Sequence, residues 1–373
     1  MNPAILKYWG LRGRWIGWRN HVLASPRFQR FAQRCWLTRP IARRRATALF
    51  DLVAGFSYSQ ILAACVESGV LRLLAERPHA SAELAVRIDV PLAGAERLLR
   101  AAAALGLVEP LGAGWALGSA GAALLGNGGI SEMIAHHHLL YADLADPLGL
   151  LRRGGGGGAL SGLWHYAESA GQSGSDVAAY SALMAASQPL VAGQAIDAYR
   201  FDRHRRLLDV GGGEGAFLRA VAARVPCLQL GLFDLPPVIA RARARFESMG
   251  LADRTTFVGG DFLRDPLPEG YDIVSLVRVL HDHDDTLALA LLRAIHAALP
   301  SGGVLIIIEP MAQAPGAVRV GDAYFGFYLL AMGSGRPRSA SEIRAMLIAA
   351  GFRSARQRRT AMPITTSLVV AIK

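Results

Sequence analysis

The sequence predicts an α/β fold, a largely parallel sheet covered by helices on both faces, behind a helical N-terminal region. Three observations predict it. From about residue 200, short apolar runs ("RLLDV", "LQLGLFD", "TTFVGGD", "YDIVSLVRVL", "GVLIIIEP") alternate with helical patterns such as "AFLRAVAARV" and "PVIARARARFESMG", the rhythm of a parallel sheet. Between about 46 and 196, apolar residues instead recur at three- and four-residue intervals, as in "ALFDLVAGFSYSQILAAC", which is helical spacing. The first apolar run also passes into "GGGEG", residues 211–215, the kind of turn by which a strand end approaches a nucleotide.

The elements follow in order. Residues 1–45 hold eleven Lys and Arg, no acid, and Trp9, Trp15, Trp18 and Trp36, so this extension carries the whole net charge of +11. Basic residues with tryptophan suit an anionic membrane surface, and peripheral membrane contact is the favoured expectation for this extension, with a solvated arm packing on the partner subunit, or nucleic-acid binding by the tail, as the alternatives. Residues 46–196 form a helical domain. Within it "SAELAVRIDVPLAGAERLLRAAAALGLVEPLGAGWAL" reads helix, turn, helix, then two short strands around a glycine, a winged-helix pattern. Residues 61–120 carry five Arg against six acids, which leaves no basic stripe for phosphates and argues against a DNA-binding regulator. "GGGGG" at 154–158 is expected to be a flexible break. Residues 197–373 form the nucleotide-binding domain. At its end Ser339-x-x-Glu342 is a capping box, Gly351 stops that helix, and two strands follow with no helix between them. They are expected to make an antiparallel hairpin at the sheet edge.

Cys35, Cys65 and Cys227 are far apart and form no CxxC pair. Neither a disulfide framework nor a zinc site is expected, and a reducing, cytoplasmic setting fits. No uninterrupted apolar run reaches the roughly 18 residues of a spanning helix, and no signal peptide is expected.

The glycine turn does not by itself name its ligand. Gly211-x-Gly213-x-x-Ala216 satisfies a dinucleotide pattern, and Gly211-x-Gly213-x-Gly215 satisfies that of S-adenosylmethionine. Asp234, at the end of the second strand, suits the ribose hydroxyls of either. Other features favour S-adenosylmethionine. Asp209, two residues before Gly211, can face the amino group or sulfonium of the methionine part, whereas a pyrophosphate gains nothing from an acid there. Asp261, in "GGDF" with Gly260, ends the third strand beside Phe262, where an adenine amino group can be held.

"HDHDD", residues 281–285, presents two His and three Asp. A metal cluster is one reading; Asp284 and Asp285 as helix-start residues is the favoured one, and no metal is expected. "HHH" at 136–138 cannot converge on one ion, because adjacent helix positions point about 100° apart. It is read as helix surface or pocket lining. "DAYFGFYLLAMGSG", 322–335, is aromatic and apolar, and suits either plain core or a wall of a lipophilic pocket, for which Tyr324, Phe325 and Met332 are the candidates.

Together "LDVGGGEG", "FDLPPVI", "GGDF", "RVLHDHDD" and "IIIEP" have the order and spacing of the plant-type and acetylserotonin-type small-molecule O-methyltransferases, which the chain resembles from about 46 to 373. Within them it looks most like the bacterial hydroxyneurosporene (demethylspheroidene) type of carotenoid synthesis, through its basic, tryptophan-bearing N-terminus and "LVAGFSYSQILAAC". The resemblance implies a Rossmann-like seven-stranded methyltransferase sheet, a winged-helix dimerisation domain, a homodimer, and S-adenosylmethionine as cofactor. It implies His281 as general base with Glu309 beside it. It also implies cofactor contacts from Asp234, Gly260, Asp261, Phe262, Arg278 and, from the helical domain, Trp164. The implied acceptor is a lipophilic alcohol such as a hydroxycarotenoid, with an aromatic or polyketide phenol as the alternative. The chain departs from the family pattern twice. His283 stands where Trp is usual after "HD", and "GSGRPR" offers Pro337 where a second glutamate is usual.

Overall fold

The structure, a computed structural model, describes residues 10–162, 188–189 and 191–373. Trp164 lies outside the described residues. The chain divides into two compact units, Met1–Gly118 and Ser119–Lys373.

The first unit begins with helices α1 (Gly10–Ala24), α2 (Pro26–Arg34), α3 (Arg39–Glu67) and α4 (Val70–Glu76). Strand β1 (His79–Ala80), helices α5 (Ser81–Arg87) and α6 (Leu92–Ala104), and strands β2 (Val108–Leu111) and β3 (Gly114–Leu117) complete it. The three strands make one sheet in the order β1-β3-β2, and β2 and β3 are the hairpin read from the sequence. Leu71, Leu74, Leu84, Leu99 and Val108 form its core. Helix α3 is different. It is long and apolar enough to cross a membrane by length and composition, yet only 11% of its apolar window is buried within the chain. The sequence showed no unbroken run of that length because Asp51 interrupts it. Leu49, Phe50, Leu52, Val53 and Phe56 are exposed on this helix, an apolar surface large enough to mark an interaction site.

The second unit opens with α7 (Ser119–Leu125), α8 (Gly128–Asp143) and α9 (Pro147–Arg152). Its sheet then alternates with helices: β4 (Arg206–Val210), α10 (Ala216–Arg224), β5 (Gln229–Asp234), α11 (Pro236–Glu247), β6 (Thr255–Gly259), β7 (Ile273–Val277), α12 (Asp285–Ala298) and β8 (Val304–Glu309). A π-helical turn, Arg319–Tyr324, leads into α13 (Phe325–Met332), followed by α14 (Ala340–Ala349), β9 (Ser354–Arg358) and β10 (Ser367–Ile372). The seven strands lie in the order β6-β5-β4-β7-β8-β10-β9. The first five are parallel, and β10 runs antiparallel between β8 and β9. Strands β7 and β8 are buried at every residue, as helices on both faces require. The capping box is formed, with Ser339 and Glu342 exchanging side-chain and backbone bonds. The chain winds outward on either side of β4, so the crevice at the end of that strand is where ligands of such sheets bind.

Two readings of the sequence change here. The contact boundary falls at 118/119 and not at 196/197. Leu140, Leu150 and Leu160, from the helical region, share a core with Tyr328, Leu329 and Met332 of α13. The glycine run is also not a loose break. Gly154 to Gly157 all have positive φ, and the Gly156 N–H donates to Leu330 O at 2.9 Å. A Cβ on Gly155 would lie 2.5 Å from that same carbonyl and one on Gly156 3.1 Å from Gly333 Cα, so at these two positions the chain packs tightly against the end of α13.

Candidate active site

The cradle is built on the ends of β4, β5 and β6. Gly211, Gly213 and Gly215 have φ of +67°, +59° and +72°, left-handed values that favour glycine. A Cβ on Gly215 would meet the ring of Phe246 at 2.5 Å, whereas one on Gly213 would meet nothing within 4 Å. Gly215 is thus fixed by packing, and Gly213 has open space on its side. The Gly213 N–H donates to Asp234 Oδ2 and the Leu235 N–H to Asp234 Oδ1, both at 2.7 Å. Burial raises the Asp234 carboxyl despite these two donors.

Asp209 is fully buried. Its Oδ1 accepts from Ser275 Oγ at 2.6 Å, and its Oδ2 finds no partner among the described residues. Burial pushes its pKa up to about 7; Ser275 opposes this and Asp234 adds to it. Ser275, paired with Asp209 in register, went unnoticed in the sequence, where it is the lone hydroxyl in an apolar strand. Gly260 N–H donates to Asp234 O at 3.0 Å. Asp261 Oδ1 accepts from Leu263 N at 2.9 Å, and the Phe262 ring stands edge-on to His283 at 5.4 Å. A carboxylate with an unused oxygen beside an open glycine suits a cationic, amino-acid-bearing ligand.

Beyond β7, Arg278 has φ +56° and donates its N–H to Ile308 O at 2.8 Å. His281 follows on a 3₁₀ turn, Leu280–Asp282, and is only 5% exposed. Burial, then the charges of Arg278 and Arg338, bring its pKa down to about 3, so the ring is neutral. Its Nε2 lies 3.3 Å from Asp282 Oδ1, and its Nδ1 has no partner among the described residues. Glu309 is fully buried and pushed up to about 7 by that burial. It does meet His281, but Oε2 accepts from the backbone N–H at 3.1 Å and not from the ring. The Arg278–Ile308 bond carries the main chain across the end of β8, which puts the amide within reach of Glu309. Asp282 is the carboxylate at the imidazole.

These features meet the comparisons with known proteins. Residues 162–353 match the family model for an O-methyltransferase domain, and residues 50–127 match the O-methyltransferase dimerisation domain. The chain is 43% identical to demethylspheroidene O-methyltransferase of Cereibacter sphaeroides, covering 94% of this chain and 93% of that one. It is 41% identical to the Rhodobacter capsulatus protein of the same name, over 95% and 89%. Among solved structures it is similar to PigF with SAH, at 26% identity and TM-score 0.71, over 88% of this chain and 99% of that one. The chain belongs to this O-methyltransferase family. It is an S-adenosylmethionine-dependent O-methyltransferase with a dimerisation domain.

The turn that carries His281 in this methyltransferase is held from one segment. Ser334 Oγ donates to Asp282 O at 2.8 Å, and Arg336 N to His281 O at 2.9 Å. Arg338 donates to Leu280 O at 2.8 Å and to His283 O at 2.7 Å. Four successive carbonyls are thereby satisfied. Arg338 is 0% exposed and also pairs with Asp285. The sequence showed Pro337 as a missing glutamate; the residue that matters structurally is its neighbour, and "RPR" before a capping box was the available signal.

Asp284 caps α12, accepting from Leu287 N at 2.9 Å, and Asp285 pairs with Arg336 and Arg338. Among the described residues no group of three or more His, Cys, Asp or Glu is placed to hold a metal. The Phe325 ring lies 6.1 Å from that of His281 and 5.0 Å from Tyr324. Met332 is buried in the core shared with Leu140 and Leu150.

Arg338→Met should destabilise the enzyme by about 2–4 kcal/mol, since two buried carbonyls lose their donors. Denaturant unfolding measures this. Asp285 is largely exposed, so Asp285→Asn should cost less than about 1 kcal/mol.

Proposed function

We propose that this enzyme methylates a hydroxyl of a carotenoid, with His281 accepting the hydroxyl proton. The observation that carries the reading is the likeness to two demethylspheroidene O-methyltransferases over nearly the whole of each chain. An aromatic wall beside a buried, neutral His281 supports it. When bound, S-adenosylmethionine supplies an electrophilic methyl on a good leaving group. Asp209 faces its positive charge, Asp234 takes the ribose hydroxyls, and Asp261 with Phe262 holds the adenine. Gly211, Gly213 and Gly260 bring the main chain close, and Arg278 completes the cofactor contacts among the described residues. Asp282 engages one imidazole nitrogen and leaves the other free to accept the proton as the O–C bond forms. Glu309 fixes the backbone that carries the ring. Tyr324 and Phe325 wall the acceptor, and Met332 packs in the core behind them.

We further infer that the N-terminal extension docks at an anionic membrane, where a carotenoid resides, on an otherwise cytoplasmic homodimer. Residues 10–24 are helical. Leu11, Trp15 and Trp18, spaced i, i+4, i+7 and so on one face, are 85%, 56% and 64% exposed. Arg19 lies over the Trp15 ring at 5.1 Å.

Three outcomes test these readings. His281→Ala should lower turnover about 10²–10⁴-fold with S-adenosylmethionine affinity near wild type, and mass spectrometry should find a methyl gained on a hydroxycarotenoid. Methylation of phenols alone would favour the aromatic acceptor. Second, Asp209 is protonated below about pH 7, and a cationic ligand favours the carboxylate. Calorimetric affinity for S-adenosylmethionine should therefore rise about tenfold from pH 6 to pH 8, and Asp209→Asn should flatten that rise. Third, the full chain should co-sediment with anionic vesicles in a salt-sensitive way, and a form starting at Ala46 should stay in solution. Equal behaviour would assign the extension to subunit packing.

A further inference from the structure

The three consecutive histidines on α8 separate in space. His138 is exposed. His136 and His137 reach α13 and the turn before it: His136 Nε2 lies 3.2 Å from the Tyr328 hydroxyl, and His137 Nε2 lies 2.7 Å from that of Tyr324. Tyr324 and Tyr328, four residues apart, share one helical face. Both rings contact Phe325, at 5.0 and 6.3 Å, and Phe325 contacts His281. An unbroken aromatic surface therefore runs from the proton acceptor to two phenol–imidazole pairs. Burial keeps both imidazoles neutral, that of His136 at about 4, and raises both phenols. With all four groups neutral, each phenol can donate to the Nε2 of an imidazole whose proton sits on Nδ1.

We infer that His136 and His137 are specificity-determining positioning residues, which take up the Tyr328 and Tyr324 hydroxyls so that the wall beside His281 offers only apolar ring surface to the acceptor. This rests on the lipophilic-acceptor reading above. A phenol without its imidazole would carry an unpaired hydroxyl in that wall. Such a group needs water or a polar partner, and it would penalise a hydrocarbon while tolerating a polar acceptor.

The test compares, in the full chain, methylation of a hydroxylated carotenoid with that of a small polar phenol. His137→Leu should raise the carotenoid KM roughly tenfold, with kcat and S-adenosylmethionine affinity within about twofold of wild type. His137→Phe, which keeps the volume but accepts no hydrogen bond, should do the same and serves if the leucine variant does not fold. His137→Gln retains an acceptor and should restore the wild-type KM. Adding Tyr324→Phe to His137→Leu removes the orphaned hydroxyl and should recover most of the loss. A lower melting temperature with unchanged KM and unchanged acceptor preference would make the pairs mere braces and overturn the inference. A double variant no better than the single would overturn it as well. A wild-type enzyme that methylates the phenol and ignores the carotenoid sinks the acceptor reading itself, and that shows before any variant is made.

Discussion

The geometry around His281 depends on how four consecutive carbonyls, 280 to 283, are satisfied. A turn that buries a titratable ring must also bury its own backbone, and an unpaired buried carbonyl costs free energy comparable to a lost hydrogen bond. The 334–338 segment supplies all four donors. Arginine suits the central place because its planar fork can bond two carbonyls and a carboxylate at once, which a lysine ammonium on a flexible stem does less well. The chain passes close at this point. Gly335 has φ +74°, and a side chain there would collide with the His281 carbonyl. The position of His281 is thus set by main-chain bonds, with Glu309 acting on the amide of the same residue.

Burial has a second consequence. It pushes His281 down and Asp209 and Glu309 up, in each case toward the neutral form. The linkage signs differ. The lowered His281 makes the fold lose stability as pH falls below the ordinary imidazole value, because the unfolded chain takes up the proton first. The raised carboxyls lose stability as pH rises from their ordinary range through about 7. Between roughly pH 4.5 and 6.5 the histidine offsets one of the two carboxyls, so of these three groups a net loss of stability with rising pH, about that of a single carboxyl, remains. With His281 as the proton acceptor proposed above, a ring held near 3 makes a weak base, and alignment, for which about 7–11 kcal/mol is available, supplies most of the rate.

The sheet was legible in the sequence almost strand by strand, because buried parallel strands are short apolar runs and the glycine turn, the three acids and the capping box are local signals. The places of Asp234 at the end of β5 and of His281 just after β7 were legible for the same reason. What the sequence did not show depends on distant pairing. Arg338 acts on carbonyls more than fifty residues away, and Glu309, expected beside His281, binds its amide and not its ring. The glycine run looked flexible because nothing in its own stretch reveals the approach of Leu330. The unit boundary shifted because helices before the sheet share a core with α13.

That split between local and distant signals follows the division of labour in the enzyme. The cradle is made by residues at the ends of neighbouring strands, so its sequence pattern is compact. The wall beside His281 is made where α8 meets α13, by pairs separated by 187 and 192 residues. Substitutions on either helix can reshape that wall without touching the glycine turn or the turn that carries the base. One methyl-transfer centre can therefore serve different acceptors. Motifs in this family consequently identify the reaction more readily than the acceptor, and acceptor choice has to be sought in contacts between helices.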